Sequence, residues 1–319
     1  MLDIAATDKG MLIPRVNLTS ILDITTIPSP VTSLLVYNQS AAGVAPNNVV
    51  TGFYFWTGTQ WSKLLNGNAT TPYWSTTGNA GTNPTSNFIG TTDGQPFKFR
   101  VGNTASGGLF FNGSTYLGLG AGTANTNLGI NTAIGYNALS TGATGQFNTA
   151  VGANTQTSSE GWYNTSLGHN ALQSNLASSN NVAIGYNAMQ FHTTGTNVGI
   201  GSQALQNNTT GNSNTAIGTS AMASATIAGN QNVAIGTSAL SNNQADNNTG
   251  VGAGALQGNG TGTSNTAMGW NSLYRNTIGN NNTGIGYRAG LFNITGTDNT
   301  AIGNNALYAN LVSNNVAIG

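Results

Sequence analysis

A glycine preceded by an aliphatic residue recurs through the C-terminal two-thirds of this chain, and its spacing limits the possible folds more than any other feature. Successive glycines lie 15 to 18 residues apart. A unit of this length cannot bury a core alone, so it must stack on its neighbours. The recurrent glycines are Gly120, Gly135, Gly152, Gly168, Gly185, Gly201, Gly218, Gly236, Gly252, Gly269, Gly286, Gly303 and Gly319.

The residues around each glycine follow a consensus when the glycine is numbered position 0. Position −1 is Ile in eight of the 13 copies, position −2 is always Ala, Gly or Ser, and position −3 is Thr or Val in twelve. Position −4 is Asn in twelve copies; in the first copy, Tyr116 and Leu117 occupy positions −4 and −3. Ala is usual at +3 and Leu or Met at +4, and a turn rich in Asn, Gly, Thr and Ser follows.

This consensus predicts a short β-strand, a bend at the glycine, a second short segment and a closing turn in each coil. The fold class is therefore all-β: a parallel β-roll or β-solenoid of about 13 coils of 15–18 residues, with neighbouring coils about 4.8 Å apart. Aliphatic–glycine pairs form the structural repeat, as in Ile134, Gly135, Ile184, Gly185, Ile217, Gly218, Ile235, Gly236, Ile302 and Gly303.

Alternation along the strand places positions −3 and −1 on one face and position −2 on the other. We expect the aliphatic −3 and −1 face to line the interior of the coil. The −2 column is always small and never charged, which suggests that another chain packs against it. We therefore expect three identical rolls to pack together as a homotrimer, although coil curvature could also demand small residues there.

The repeats resemble the head repeat of trimeric autotransporter adhesins, the YadA-like left-handed parallel β-roll. The resemblance rests on motifs such as Asn-Thr-Ala-Ile-Gly and Asn-Val-Ala-Ile-Gly and covers roughly residues 117–319. It implies a trimeric extracellular head. The coils here are longer than is typical of that family, and no heptads of a coiled-coil stalk are present.

The N-terminal third differs in composition, because it holds all seven prolines and five of the seven basic residues. We predict a small β-rich domain over residues 1–64, a linker and transition β segment over 65–116, and the roll over 117–319. Strands are expected at Leu34–Tyr37, Gly52–Trp56, Gln60–Leu64 and Phe97–Val101. The segments Leu2–Arg15 and Leu34–Asn38 resemble the N-terminal regions of bacterial surface proteins and tail-fibre-like proteins. The chain is expected to be a piece of a longer protein.

Composition argues against several functions. Only 4% of the residues are charged and the net charge is zero, so no electrostatic footprint for nucleic acid is present. There is no cysteine, and no apolar run is long enough for membrane insertion. The carboxylates of the repeat array, Glu160, Asp246 and Asp298, lie several coils apart, too far for a glycosidase pair. We expect no enzymatic activity, no catalytic or metal site and no cofactor.

Binding is the activity that remains. Position +1 carries the candidate ligand-contact residues, which are Tyr136, His169, Tyr186, Trp270 and Tyr287. Exposed aromatic rings among Asn and Thr suit contact with a surface glycan or a protein receptor, although they could also brace the turns.

Three functions fit these features. The first is an extracellular, homotrimeric structural or adhesive fibre at a cell surface. The second is a receptor-binding tail fibre of a phage or contractile injection particle. The third is an ice-binding solenoid, which needs an outward array of Thr; we expect the Thr column at −3 to point inward, which disfavours this function.

Overall fold

The computed structural model describes residues 10–64, 78, 80–83, 85–123, 130–141, 144–158, 160–223 and 229–319. Every regular element in this part of the chain is a β-strand, as the repeat predicts. The chain divides into two compact units, Met1–Ile89 and Gly90–Gly319. The start of the predicted surface-protein segment, Leu2–Lys9, and much of the predicted linker lie outside the described residues.

The first unit contains a four-stranded sheet. Its strands β1 to β4 are Arg15–Val16, Leu35–Asn38, Gly52–Trp56 and Trp61–Lys63, and they lie in the order β1-β2-β3-β4. β1 pairs with β2 in parallel, and β2, β3 and β4, at three of the positions where strands were predicted, form an antiparallel meander. Aromatic residues on alternate positions of β3 and β4 form the core: Trp56 and Trp61 are buried with their ring centroids 5.3 Å apart.

Asp23 anchors a loop of this unit. Its carboxylate accepts hydrogen bonds from the backbone N–H groups of Thr19 (2.8 Å), Thr25 (2.8 Å) and Thr26 (3.0 Å), and its carbonyl accepts one from the Trp61 indole at 2.6 Å. Burial opposes ionisation of Asp23, but these bonds and those from the Thr25 and Thr26 hydroxyls outweigh it, and the pKa of Asp23 falls well below its usual range.

The second unit is a 15-stranded sheet whose strands follow each other in chain order. The strands β5 to β19 are Phe97–Val101, Thr104–Leu109, Thr115–Leu117, Thr132–Ile134, Thr149–Val151, Thr165–Leu167, Val182–Ile184, Val198–Ile200, Thr215–Ile217, Val233–Ile235, Thr249–Val251, Thr266–Met268, Thr283–Ile285, Thr300–Ile302 and Val316–Ile318. β5 and β6 pair antiparallel with each other, and β6 with β7; all later pairs, from β7–β8 to β18–β19, are parallel and in register. The predicted parallel β-solenoid is thus confirmed.

The glycine at position 0 is required by both conformation and space. Gly135 has a φ of 132°, and a Cβ atom there would lie 2.4 Å from the carbonyl oxygen of Gly152 in the next coil. The glycines of successive coils therefore stack on each other with no room for a side chain.

The prediction for the two strand faces was wrong, because position −2 points into the coil and positions −3 and −1 point out. Ala133 and Ala216 are fully buried, whereas Ile134 and Ile217 are each 37% exposed. The reason is the width of the coil: the Leu or Met at +4 fills the interior and leaves space for only a small residue opposite. A Cβ on Gly199, at −2, would lie 2.8 Å from Cγ of Met189, at +4 of the adjacent coil.

The first coil also begins at a different glycine from the one predicted. β7 aligns Thr115, Tyr116 and Leu117 with Thr132, Ala133 and Ile134, so position 0 is Gly118 and not Gly120. Tyr116 then occupies position −2, and its large buried ring is accommodated because position +4 is Gly122. A Cβ on Gly122 would lie 2.5 Å from the Tyr116 ring. Tyr116 also packs on Phe110, at 5.0 Å between ring centroids.

Two ladders of buried Asn side chains hold successive coils together. In the −4 ladder, the side-chain oxygen of each Asn accepts the backbone N–H of the next, as from Asn282 to Asn265 at 2.9 Å. In most coils its amide group also donates to a turn carbonyl of the next coil, as from Asn265 to Gly279 at 2.8 Å. The second ladder stands at +7 and was not predicted; Asn276 donates to Asn259 at 2.8 Å within it. Both ladders satisfy buried polar groups along the roll.

Candidate functional surfaces

The outer strand face, made of positions −3 and −1, forms a stripe on one side of the roll with an apolar side chain at every −1 position. Ile235 is 39% exposed, Met268 45% and Ile285 38%, and the −3 column beside them is Thr or Val. Because the strands pair in register with a spacing of about 4.8 Å, the stripe runs for about 60 Å. A monomeric soluble protein rarely exposes an apolar patch of this extent, so the stripe has the character of an interface.

The outward orientation of position −3 removes the argument against ice binding, which expected the Thr column to point inward. The Thr column at −3, which includes Thr215 and Thr249, lies on the outward face instead of pointing inward, because the interior is taken by position −2. The column is interrupted by Val182, Val198 and Val233.

The aromatic column at position +1 forms two stacked pairs, each across neighbouring coils. The rings of His169 and Tyr186 lie 5.7 Å apart at an interplanar angle of 17°, and those of Trp270 and Tyr287 lie 5.1 Å apart at 14°. The Arg288 guanidinium carbon lies 4.9 Å from the Trp270 ring centroid and 5.0 Å from that of Tyr287. Trp270 and Tyr287 remain 43% and 45% exposed, so part of each ring is open to a partner.

Tyr136, the fifth candidate, does not join either pair. One coil, which carries Ala153 at +1, separates it from His169. The ring contacts found among the described residues do not include Tyr136, which is 54% exposed. The structure therefore brings the five candidates together as two pairs and one separate ring.

A further aromatic cluster lies outside the +1 column. Phe147 stacks on Tyr163 with ring centroids 5.0 Å apart at 3°, and Trp162 lies 6.5 Å from Phe147. Phe147 and Tyr163 both stand at position −5 of their coils, which aligns them on adjacent rungs. The repeat register would have placed these two rings side by side had the −5 column been compared between coils.

The three carboxylates of the roll, Glu160, Asp246 and Asp298, stand on different coils. The Asp246 carboxylate accepts the backbone N–H of Asn230 at 2.7 Å, and Asp298 accepts the side-chain amide of Asn281 at 3.1 Å. His192 is buried; burial lowers its pKa, and hydrogen bonds with the carbonyls of Asn208 and Gly195 oppose that change. Over the described ranges, no group of three or more His, Cys, Asp or Glu side chains could hold a metal ion.

Comparison with known proteins gives one family. Residues 1–82 match the family model described as the phage tail like trimerisation region. No curated protein and no solved structure gives a significant match. The resemblance to the autotransporter adhesin family stays a prediction beyond its β-roll fold. In the described part of the chain, no helix is long and apolar enough to cross a membrane.

A phage tail-like trimerisation region followed by a β-solenoid indicates a trimeric fibre protein. This fibre-like make-up points to a structural, non-enzymatic role. It also indicates a fibre that is extracellular or part of a virion-like particle.

Proposed function

We propose that the chain forms a homotrimeric, receptor-binding fibre, in which the outer strand faces of three rolls pack against each other and the turns carry the receptor contacts. The match of residues 1–82 to a phage tail-like trimerisation region favours a tail fibre of a phage or contractile injection particle over a cell-surface adhesin.

The outer strand face is the observation that carries the trimer. Its exposed Ile, Val and Met side chains recur once per strand along the roll. Identical copies share this spacing, so their side chains can pack in matching positions. A trimerisation region in the same chain would raise the effective concentration of three rolls for each other. A second and a third copy of this chain are therefore the occupants that we assign to the stripe.

Native mass is the first measurement. Light scattering on the full chain should give about three times the 32.4 kDa of one chain. A monomer would contradict the proposal and leave the outward Thr and Ile columns open to solvent. Thermal hysteresis in such a monomer would then support the ice-binding function instead.

The stacked aromatic pairs are the proposed receptor contacts. Flat, exposed rings present apolar faces to sugars while the surrounding Asn and Thr side chains can form hydrogen bonds. A surface glycan is the partner that these rings fit best, with a protein receptor as the alternative.

A glycan array tests this role with fluorescent trimer and three variants. Trp270→Ala should abolish retention of the bound glycans if the Trp270–Tyr287 pair is the platform, and His169→Ala should do so if the other pair is. Asn304→Ala, at the same position of the following coil, serves as the matched control and should bind as the parent does. Unchanged binding in both aromatic variants would rule out the stacked pairs as the contact.

A further inference from the structure

A single missing side chain opens a notch on the turn side of the roll. Position +6 forms a column on successive coils, with Asn242, Gly258, Arg275 and Phe292 on neighbouring rungs. Backbone hydrogen bonds keep this column in register: the Gly258 N–H donates to the Tyr274 carbonyl at 2.8 Å and the Arg275 N–H to the Leu291 carbonyl at 3.0 Å. Because Gly258 has no side chain, a cavity of about 280 Å³ lies between Asn242 and Arg275.

The notch is the size of one small ring. Its two walls, the side chains of Asn242 and Arg275, stand two rungs apart, which is roughly 10 Å at the strand spacing. Its volume lies just below the usual range of pockets for drug-sized ligands. The backbone also keeps the notch open, since a Cβ atom on Gly258 would lie 2.7 Å from the Tyr274 carbonyl oxygen.

The chemistry of the lining combines one cation with neutral hydrogen-bonding groups. The walls carry the Arg275 guanidinium, the Asn242 and Gln257 amides and the Thr277 hydroxyl, with the apolar side of Ile294 and the Tyr274 ring beside them. The Arg275 guanidinium carbon lies 4.9 Å from the centroid of the Phe292 ring, which holds the side chain in place. The described residues that line the notch include no carboxylate.

A cationic side chain in the notch is informative because the chain has so few cationic residues. From residue 117 onward, Arg275 and Arg288 are its only basic residues. A guanidinium with no carboxylate partner beside it is suited to a bidentate bond with an anionic group of a ligand. The amides and the hydroxyl are suited to the hydroxyl groups of a sugar.

We infer that the notch between Asn242 and Arg275 binds one sugar ring that carries an anionic group, either a carboxylate or a sulfate ester. This inference rests on the proposed receptor-binding role and narrows the receptor to an acidic surface glycan. The anionic group would lie at Arg275, and the ring hydroxyls would reach Asn242 and Gln257.

The test is saturation-transfer NMR on the full trimer with four probes: glucuronate, glucose 6-sulfate, glucose and inorganic sulfate. We expect binding of one or both acidic sugars and at least ten-fold weaker binding of glucose. Arg275→Gln should reduce the affinity for the acidic sugar at least ten-fold, because a charge-assisted bidentate bond is lost. Arg275 is exposed, so this variant should fold. Arg100→Gln removes the same charge from an exposed position on β5, outside the notch; it is the matched control and should bind the acidic sugars as the parent does.

The remaining outcomes separate this inference from the proposed function. Equal binding of glucose and glucuronate, or unchanged binding in Arg275→Gln, would overturn the acidic-sugar site. If inorganic sulfate binds the notch as tightly as glucose 6-sulfate does, the notch is a simple anion site. This outcome would also overturn the acidic-sugar site. If Trp270→Ala abolishes glycan binding while Arg275→Gln does not, the receptor-binding role stands and the notch is not the site.

Discussion

At the scale of single residues, the roll shows which positions obey the repeat and which depart from it. Position +4 is Leu or Met in most coils, but Gln156 occupies it between Leu139 and Leu172. Its side chain is fully buried, and neither its amide nitrogen nor its oxygen has a hydrogen-bond partner. Such a group loses its hydration without replacement, so it costs free energy of folding.

Gln156→Leu should therefore stabilise the protein. The removed desolvation cost and the added apolar contact predict an increase of about 1–3 kcal/mol in the free energy of unfolding. The backbone already suits Leu, because the φ of Gln156 is 48° and those of Leu139 and Leu172 are 50° and 51°. Chemical denaturation measures the change, with Gln206→Leu at the half-buried +5 position as control. A lower unfolding midpoint for Gln156→Leu would show that its amide has a partner in solution.

His192 replaces Asn in the +7 ladder, and its burial is expected to make the ladder sensitive to pH. Its Nδ1 lies 3.0 Å from the Asn208 carbonyl oxygen and its Nε2 3.2 Å from that of Gly195. Because burial lowers its pKa below the unfolded value of about 6.5, the folded state binds fewer protons than the unfolded state in this range. The stability contributed by neutral His192 is present above that value and is lost as the pH falls through the lowered pKa.

We expect the unfolding midpoint to fall between pH 7 and pH 5, and His192→Asn to remove much of that fall. The variant restores the residue found at +7 in the adjacent coils, Asn175 and Asn208. Denaturation at several pH values measures the effect. His169→Asn, which changes the exposed histidine, should keep the parent's pH dependence. An identical pH profile for His192→Asn would assign the sensitivity to other groups.

At the scale of elements, the repeat predicted the strands and the parallel register, but not which face of a strand is interior. A three-residue strand with alternating residues is compatible with either orientation. The choice depends on the other half of the coil, where the +4 side chain fills the space. Positions −2 and +4 share the interior volume of the first coil as well, where the large Tyr116 at −2 is accompanied by Gly122 at +4. Gly118 and Gly120 both follow an aliphatic residue, and the pairing with β8 shows that Gly118 is position 0.

The aromatic candidate site was predicted only in part, because the sequence shows the +1 column but not the contacts between its rings. The +1 column was visible in the sequence, but rings contact each other only on adjacent coils, so Tyr136 stands apart. The +7 Asn ladder could have been read from the spacing of Asn243, Asn259, Asn276 and Asn293. The notch could not have been predicted from the sequence, because it depends on the absence of a side chain at Gly258 between two larger neighbours.

The Asn ladders are expected to carry much of the stability of each coil. Asn265 is fully buried, accepts the Asn282 backbone N–H at 2.9 Å and donates to the Gly279 carbonyl at 2.8 Å. Asn265→Ala leaves both groups buried without a partner and should cost about 2–5 kcal/mol. Hydrogen exchange should show faster exchange in the adjacent coils. Asn304→Ala, on an exposed position, should change stability by less than about 0.5 kcal/mol.

At the scale of the whole molecule, the central question is what covers the outer strand face. Low charge keeps this stripe free of repulsion between copies, and the in-register ladder presents the same side chains at every rung. A solenoid with such a face is better suited to side-by-side packing of identical chains than to an isolated existence in water. The turns, which hold the aromatic pairs and the notch, then remain outside and available to a receptor.

Charges placed on the stripe should separate the rolls without unfolding them. Ile217→Lys with Ile235→Lys puts two lysines per chain into the proposed contact, where burying unpaired charge is costly. The trimerisation region can still hold the chains together, so a local readout is required. The chain has no cysteine, which lets Thr283→Cys, on the same face, report access through its maleimide labelling rate. We expect slow labelling in the parent and at least ten-fold faster labelling with the two lysines. Thr219→Lys with Thr237→Lys adds the same charge to the exposed +1 position of the same two coils and should leave labelling slow. Fast labelling in the parent would show that the stripe is open to solvent and that the rolls do not pack through it.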